Sequence, residues 1–269
     1  MLPFVTAAVL LSVLATGGTP SLTYQWESSL DGTTWTPVSG ATSSTYSTGS
    51  LAVTTRYRVV VSATGNGCAS VTSNPAIITV VAQQTASVTG NQTICNGGTA
   101  TLTATVSGGT GTITYIWQSS PDGSTWTNIS GATSSSYTTP ALSSTTHYRV
   151  NVTRSGSNCG SVNSTASVVT VVNDPGISAH PQSASICSGQ TKTLSVTGSG
   201  GTPSLTYQWQ SSPDGTTWSN ISGANASSYT TPSLTSVTHY KVIVGATGNG
   251  CTDITSNAAI ISIDNVNTP

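Results

Sequence analysis

The amino-acid sequence predicts an all-β protein built from three consecutive β-sandwich repeats. Every aromatic residue apart from Phe4 recurs at the same place in three stretches, in steps of 91 or 92 residues. The five series are Tyr24, Tyr115, Tyr207; Trp26, Trp117, Trp209; Trp35, Trp126, Trp218; Tyr46, Tyr137, Tyr229; and Tyr57, Tyr148, Tyr240. Such a step is far longer than a solenoid repeat and fits one small sandwich with its own core. Ser, Thr, Gly and Asn dominate the polar positions, and Val, Ile and Tyr punctuate them, which favours short strands and turns over helices.

The two intact repeats give the order of the strands. In the first of them, one strand runs into Cys95 and a second alternates around Leu102. The run TYIWQSS predicts a third strand, and the PDG after it supplies the dihedral angles of a tight hairpin turn. The returning strand begins at Trp126, and SSYTT, THYRVNVT and ASVVTVV bring the total to about seven strands. We expect domains at residues 1–82, 83–174 and 175–269, the first of which lacks its first strand.

The first residues allow two interpretations. MLPFVTAAVLLSVLATGG has an apolar core and a small-residue cleavage point after Ala15, as a signal peptide would, but no Lys or Arg precedes that core. Against this, Leu11 aligns with Leu194, and both lead into the shared GGTPSLTYQW. This register favours a strand, because cleavage would remove Leu11 from the predicted core. The stretch is also short and interrupted for a membrane span.

The strand pattern resembles the immunoglobulin-like sandwich, in which a Trp on the third strand packs against a pin between two sheets and a Tyr opens the sixth strand. In the second repeat, Leu102 lies 15 residues before Trp117, and Tyr148 lies two residues before Val150. The central pin is therefore apolar, where antibody domains have a disulfide. The predicted core residues are Trp26, Trp117, Trp209, Tyr57, Tyr148 and Tyr240.

A closer resemblance is to Ig-like and PKD-like repeats of large secreted surface proteins of Bacteroidota-type bacteria. It rests on ICNGG and ICSGQ, GGTPSLTYQWQSSPDGTTW, NISGATSSSYTTPAL, HYRV and GNGC, and it covers nearly the whole chain. The resemblance implies an exported, surface-attached protein of the adhesin-stalk or gliding-associated type, or an accessory module of a secreted enzyme. It brings no catalytic residues.

The spacing of the cysteines suggests an oxidising compartment. Cys95 and Cys159 are 64 residues apart, as are Cys187 and Cys251, and one disulfide within each complete repeat is the expected pairing. The rival pairing joins neighbouring repeats, Cys68 with Cys95 and Cys159 with Cys187. Cys68 is otherwise a free thiol, or it pairs outside the chain.

The composition excludes several classes of function. Charged residues are 5% of the chain and the net charge is −1, so no electrostatic surface is available for nucleic acid or an anionic membrane. Asp31, Asp122 and Asp214 recur in DG turns, where an Asp ordinarily caps the turn, and no neighbouring carboxylates would complete a calcium site. No nucleophile motif such as Gly-x-Ser-x-Gly is present. We therefore expect no enzyme activity, cofactor or metal site.

One set of residues is a candidate binding surface. Trp35, Trp126 and Trp218 each follow a hairpin turn, and in an array they would recur once per domain as platforms for sugar rings. The alternative is that each ring packs under its own hairpin.

Three functions remain open at this point: a surface fibre or adhesin stalk, a module that binds surface glycans, and an ancillary segment of a secreted enzyme. The near-identity of the repeats favours the first. Because the first repeat has no first strand, we expect head-to-tail association with copies of the chain or with adjoining repeats. Either the chain belongs to a longer covalent array, or a neighbouring subunit supplies the missing strand.

Overall fold

A computed structural model describes residues 8–18, 20–65, 68–155 and 160–264, and the regular elements in these ranges are all β-strands. The predicted all-β class is confirmed. Repeat 1 contains β1 (Leu10–Ser12), β2 (Leu22–Ser29), β3 (Thr36–Pro37), β4 (Thr45–Ser47), β5 (Thr55–Ala63), β6 (Val71–Thr72) and β7 (Ala76–Ile78). Strand β1 pairs with β4, and the second sheet has the order β3-β2-β5-β6, with β7 also on β5.

Repeat 2 adds two strands at its beginning. Its elements are β8 (Thr85–Val88), β9 (Gln92–Cys95), β10 (Thr101–Ser107), β11 (Ile113–Ser120), β12 (Thr127–Asn128), β13 (Ser136–Thr138), β14 (Thr146–Arg154), β15 (Val162–Asn163) and β16 (Ser167–Val172). One sheet has the order β13-β10-β8 and the other β12-β11-β14-β16-β9, with β15 on β14. Strand β9 runs parallel to β16, so that Cys95 lies beside Val172 at the end of that strand.

Repeat 3 has the same arrangement. Its elements are β17 (Gly176–Ala179), β18 (Ala184–Cys187), β19 (Thr193–Ser195), β20 (Thr197–Ser199), β21 (Leu205–Ser212), β22 (Ser219–Asn220), β23 (Ser228–Thr230), β24 (Thr238–Ala246), β25 (Ile254–Thr255) and β26 (Ala259–Asp264). The large sheet has the order β18-β26-β24-β21-β22, with β25 on β24, and the pairs β17-β20 and β19-β23 lie apart from it. Strand β18 runs parallel to β26.

The described residues gather into two compact units. The first contains the described part of Met1–Thr85 together with Val106–Ile113 and Thr153–Val162, and the second contains Ala86–Thr105, Thr114–Val152 and the described part of Asn163–Pro269. No helix in the described ranges is long and apolar enough to cross a membrane.

Each core is arranged around the predicted tryptophan and tyrosine. In repeat 3, Trp209 and Tyr240 are buried, and Tyr229 lies between them with ring centroids 5.9 and 5.8 Å away. The Trp209 indole nitrogen donates a hydrogen bond to the Ala226 carbonyl at 2.9 Å, which satisfies the polar atom of a buried ring. Burial raises the pKa of Tyr240 to about 12. The residues Trp26 with Tyr57 and Trp117 with Tyr148 are buried in the same arrangement.

The apolar pin between the sheets is also present. Leu194 and Val242 are buried beside Trp209, and Leu102 and Val150 are fully buried in repeat 2. In repeat 1, Leu11 packs against the core from strand β1, where the alignment with Leu194 predicts a strand. Residues 1–7, which include Phe4, lie outside the described residues.

Repeat 1 leaves an apolar groove where repeat 3 has an additional strand. In repeat 3, β17 pairs with β20 and its Ile177 packs on the core. The equivalent of β20 in repeat 1 begins at Leu14, which is 93% exposed and, within the described ranges, belongs to no strand pair. A cavity of about 510 Å³ lies here, lined by apolar residues that include Val13, Leu22 and Val61. In the described part of repeat 1, this groove is open.

We expect the Trp117→Ala substitution to lower the free energy of opening of repeat 2 by about 3 to 5 kcal/mol, because it removes a fully buried aromatic side chain. Hydrogen exchange of the amides in Ile113–Ser120, followed by mass spectrometry, measures this opening in one repeat. Thr127→Ala, on an exposed position of β12, is the control and should change it by about 0.5 kcal/mol or less. A loss below about 1 kcal/mol for Trp117→Ala would show that the ring does not support the core.

Candidate functional site

The three candidate sugar platforms lie half-buried on their repeats, each with a cation over the ring. The Arg58 guanidinium carbon is 4.2 Å from the Trp35 ring centroid, and that of Arg149 is 4.3 Å from Trp126. In repeat 3, the Lys241 ammonium nitrogen is 4.3 Å from the Trp218 centroid. Each ring therefore makes a cation–π contact inside its own repeat.

Side chains on neighbouring strands hold the two arginines in place. Glu27 on β2 faces Arg58 on β5 across the antiparallel register, and the Arg58 Nε donates to Glu27 Oε2 at 2.7 Å. In repeat 2, the Arg149 Nε donates to Gln118 Oε1 at 2.6 Å. A sugar ring stacks on an open aromatic face, and one face of each tryptophan is already occupied. One face of each ring is thus covered within its own repeat, and the use of these tryptophans as sugar platforms stays a prediction.

The DG turns are held by a conserved pattern of hydrogen bonds from repeat to repeat. In the first turn, the amides of Thr33 and Thr34 each donate to Asp31 Oδ1 at 2.8 Å, and the Ser29 hydroxyl donates to the same oxygen at 2.9 Å. The Gly32 amide donates to the Ser29 oxygen at 2.8 Å. The Thr34 amide, followed by that of Thr33 and the Ser29 hydroxyl, holds the pKa of the Asp31 carboxyl well below its usual range. The Asp therefore caps the turn.

No group of three or more His, Cys, Asp and Glu residues that could hold a metal ion is found in the described ranges. The carboxylates of the DG turns already accept hydrogen bonds from backbone amides. The cysteines are the other side chains whose chemistry the structure shows.

One disulfide joins Cys95 in repeat 2 to Cys251 in repeat 3, with the two Cα atoms 4.9 Å apart. This bond corrects the prediction that Cys95 pairs with Cys159 and Cys187 with Cys251, and it differs from the rival pairing as well. Cys187 and Cys68 are free and exposed, and Cys159 lies outside the described residues.

Strand direction explains why Cys187 and Cys251 do not pair. Cys187 lies at the end of β18 beside Asp264, where β26 ends. Strand β24 runs antiparallel to β26 and carries the chain away from that end for nine residues before the loop with Cys251. At about 3.3 Å per residue this is roughly 30 Å, whereas a disulfide needs Cα atoms within about 7 Å. Equal spacing in the sequence thus places the two thiols at opposite ends of one sandwich.

The Cys251 loop is docked onto the turn after Cys95 by more than the disulfide. The Cys95 amide donates to the Asn249 carbonyl at 2.9 Å, and the Thr99 amide donates to Asn249 Oδ1 at 2.7 Å. The Gly97 amide, in the same turn, donates to the carbonyl of Leu142 elsewhere in repeat 2 at 2.8 Å. We call residues 94–99 the acceptor turn and residues 246–251 the docking loop. Together they form the candidate functional site, a built contact between consecutive repeats.

Two glycines allow this close approach. A Cβ atom on Gly98 would lie 2.5 Å from the Asn249 carbonyl oxygen, and one on Gly250 would lie 2.3 Å from the Gly98 Cα. Gly250 also has a φ of +80°, which disfavours other residues. Sequence reasoning missed Gly98, Asn249 and Gly250. The signal that could have found them is the hexapeptide ATGNGC, which repeats without change at residues 63–68 and 246–251.

We expect Gly250→Ala to reduce the yield of the Cys95–Cys251 disulfide after oxidative refolding, because the new methyl group would collide with the acceptor turn. Gly97→Ala is the matched control: Gly97 has the same φ of +80°, and a Cβ there would meet nothing within 4 Å. Peptide mapping without reduction measures the yield. Equal losses in the two variants would show that backbone strain alone, and not the contact, is responsible.

The acid titration of the turn carboxyls is a further prediction. The amides of Thr125 and Ser124 hold the pKa of Asp122 well below its ordinary value of 3.8. Because the folded-state pKa is lowered, the stability that Asp122 contributes is complete above the unfolded-state pKa and is lost as the pH falls through the folded-state pKa. Carboxyl carbon NMR should find Asp122 ionised at pH 3.8. The Asp122→Asn variant should lose this part of the acid dependence, and a midpoint at or above 3.8 would contradict the assignment.

Among solved structures, three N-terminal domains of the highly immunogenic outer capsid protein (Hoc) of bacteriophage RB49 are similar to this chain. The identity is 15%, the match covers 96% of this chain and 95% of that one, and the TM-score is 0.58. The I-band fragment I67–I69 of titin matches at 14% identity over 96% and 93% of the two chains, with a TM-score of 0.47. The Hoc match supports a tandem Ig-like fold, as predicted.

A search of curated proteins found no match. A family model described as a domain of unknown function (DUF8696) matches the chain three times, at residues 5–82, 84–173 and 177–265. The chain therefore belongs to the DUF8696 family, as a tandem of three such domains.

Proposed function

We propose that this protein is a non-catalytic structural and adhesive repeat protein that forms a surface fibre, filament or adhesin stalk from Ig-like domains arranged end to end. The domains are residues 1–82, 83–174 and 175–269, and the three family matches fall within these bounds. The observation that carries the proposal is the docked contact between repeats 2 and 3. A flexible linker between independent domains would need no such contact.

The chemistry of the contact suits a load-bearing joint. The disulfide joins residues that are 156 positions apart, and the hydrogen bonds from Cys95 and Thr99 fix the docking loop on both sides of it. Because the bond crosses from one repeat to the next, it restrains the angle between them and does not close a single core. A joint of this kind transmits bending and tension along an array.

The same bond supports a location outside the cell. Disulfides persist in oxidising compartments and are rare in the cytosol. The surface is correspondingly suited to exposure, since charged residues are only 5% of the chain and Ser and Thr supply most of the polarity. The resemblance to surface-protein repeats of Bacteroidota-type bacteria supports the same assignment, to a secreted, cell-surface protein.

Head-to-tail association with adjoining repeats or with copies of the chain completes the proposal. The apolar groove of repeat 1, with Leu14 at its rim, offers the place that β17 fills in repeat 3. Filling such a groove with a strand from a neighbour would satisfy unpaired backbone groups and cover exposed apolar surface.

Electron microscopy and sedimentation velocity of the purified chain, over a range of concentrations, test this function. We expect unbranched extended particles whose length grows with concentration. The Cys95→Ser/Cys251→Ser double variant is the control for the joint, and its particles should be more strongly bent along their length. A chain that stays monomeric at high concentration, or that closes into small symmetric rings, would contradict a fibre.

A further inference from the structure

We infer that Cys187 of one copy forms a disulfide with Cys68 of a second copy, through the same docked contact that joins Cys95 to Cys251. This inference rests on the proposed end-to-end association and makes it covalent. It assigns partners to the two exposed free thiols of the described residues.

The acceptor side of this contact is present and uncovered in repeat 3. The segment ICSGQT at 186–191 is equivalent to the acceptor turn ICNGGT at 94–99. Cys95 is buried, at 0% exposure, and both its amide and its sulfur are bonded to the docking loop. The equivalent Cys187 is exposed and free.

The donor side is present in repeat 1. Residues 63–68 have the sequence ATGNGC, identical to the docking loop at 246–251. Both hexapeptides leave equivalent strands in the same register, since Ala63 pairs with Leu22 and Ala246 pairs with Leu205. Cys68 therefore has the sequence position in its loop that Cys251 has in the bonded one, and it lines the open apolar groove of repeat 1.

The groups that hold the docking loop recur on both sides. Thr191 matches Thr99, whose amide binds Asn249 Oδ1, and Gly189 matches Gly97 with a φ of +84°. On the donor side, Asn66 matches Asn249 in the sequence. The sequence thus has a threonine and an asparagine at the two positions that form this hydrogen bond in the bonded contact.

One position departs from the match. Gln190 stands where Gly98 allows the close approach, and a Cβ at position 98 would lie 2.5 Å from the Asn249 carbonyl oxygen. The loop of a second copy must therefore sit farther from the turn at Cys187. The bond at Cys187 should accordingly form more slowly than a bond to a glycine-containing turn.

The remaining cysteine loop fits less well. Residues 154–159 read RSGSNC, so that Ser157 stands at the position of Asn249. In the Cys95–Cys251 bond, the turn cysteine belongs to the repeat that precedes the repeat of the loop cysteine. By this rule, Cys159 in repeat 2 would need a turn cysteine in repeat 1, and the sequence has Phe4 at that position. Cys68 is consequently the loop cysteine in this chain that matches the turn at Cys187.

Bond formation is thiol–disulfide exchange with a small-molecule disulfide such as glutathione disulfide. The Cys187 thiolate attacks one sulfur of the oxidant, and one glutathione thiolate leaves. The Cys68 thiolate of the second copy then attacks the Cys187 sulfur, and the second glutathione leaves. Two protein thiols are oxidised, one small disulfide is reduced to two thiols, and the two protons pass to the leaving thiolates.

The test uses the full chain with Cys159→Ser, incubated in glutathione redox buffer and resolved on non-reducing gels. We expect a ladder of multimers, and peptide mapping should join Cys68 to Cys187. In the same background, Cys68→Ser and Cys187→Ser should each stay uncrosslinked alone. A mixture of the two, one of them labelled with ¹⁵N, should stop at the heterodimer, because each retains one half of the contact.

Two further variants separate docking from random collision. Asn66→Ala should slow crosslinking by about 3- to 10-fold, the effect of losing one hydrogen bond in the docked contact. Gln190→Gly should accelerate it, because it restores the glycine of the acceptor turn. Unchanged rates in both variants would overturn the docked contact.

Other outcomes overturn the inference in distinguishable ways. Cys187–Cys187 or Cys68–Cys68 dimers, or a Cys68–Cys187 bond within a monomer, would show that the contact does not form between copies. Extended particles without covalent ladders would leave the fibre in place and remove the disulfide. Monomers without a ladder would remove both proposals.

Discussion

The packing of one tryptophan between the two sheets of each repeat is the interaction on which the rest of the molecule depends. Trp117 and Trp209 are fully buried, with their indole nitrogens satisfied by backbone carbonyls and their rings next to a tyrosine. Leucine and valine supply the pin that a disulfide supplies in antibody domains. Because the cores are closed without cysteine, Cys95 and Cys251 are available at the ends of the sandwiches, where repeats 2 and 3 meet.

The cores and the joint between repeats therefore depend on different interactions. The cores need only apolar burial, which each repeat supplies on its own, whereas the joint between repeats needs directional contacts. Cys95 is bonded covalently to Cys251, and the backbone amides of Cys95 and Thr99 donate hydrogen bonds to Asn249. The joint uses close packing and hydrogen bonds and no ion pair between the named residues, and salt screens such contacts weakly.

The sequence predicted the fold from periodicity, since the aromatic series and the alternating strands depend on local spacing and on burial within one repeat. It did not predict the disulfide, because the 64-residue spacing of Cys187 and Cys251 says nothing about which end of the sheet each reaches. Strand direction decides that, and it appears only once β24 and β26 are paired. The cation over Trp35 was equally out of reach, because Arg58 comes from a strand that is distant in the sequence.

Specificity in such an array resides in the loops and not in the thiols. Any two exposed cysteines can be oxidised, but the docking loop fits its turn because Gly98 and Gly250 let two backbones touch and because Asn249 reaches an amide. A loop that retains its cysteine and replaces the Asn would keep the reactivity and lose this hydrogen bond. The sequence identity of the loops at 63–68 and 246–251 is therefore the feature on which the proposed second joint depends.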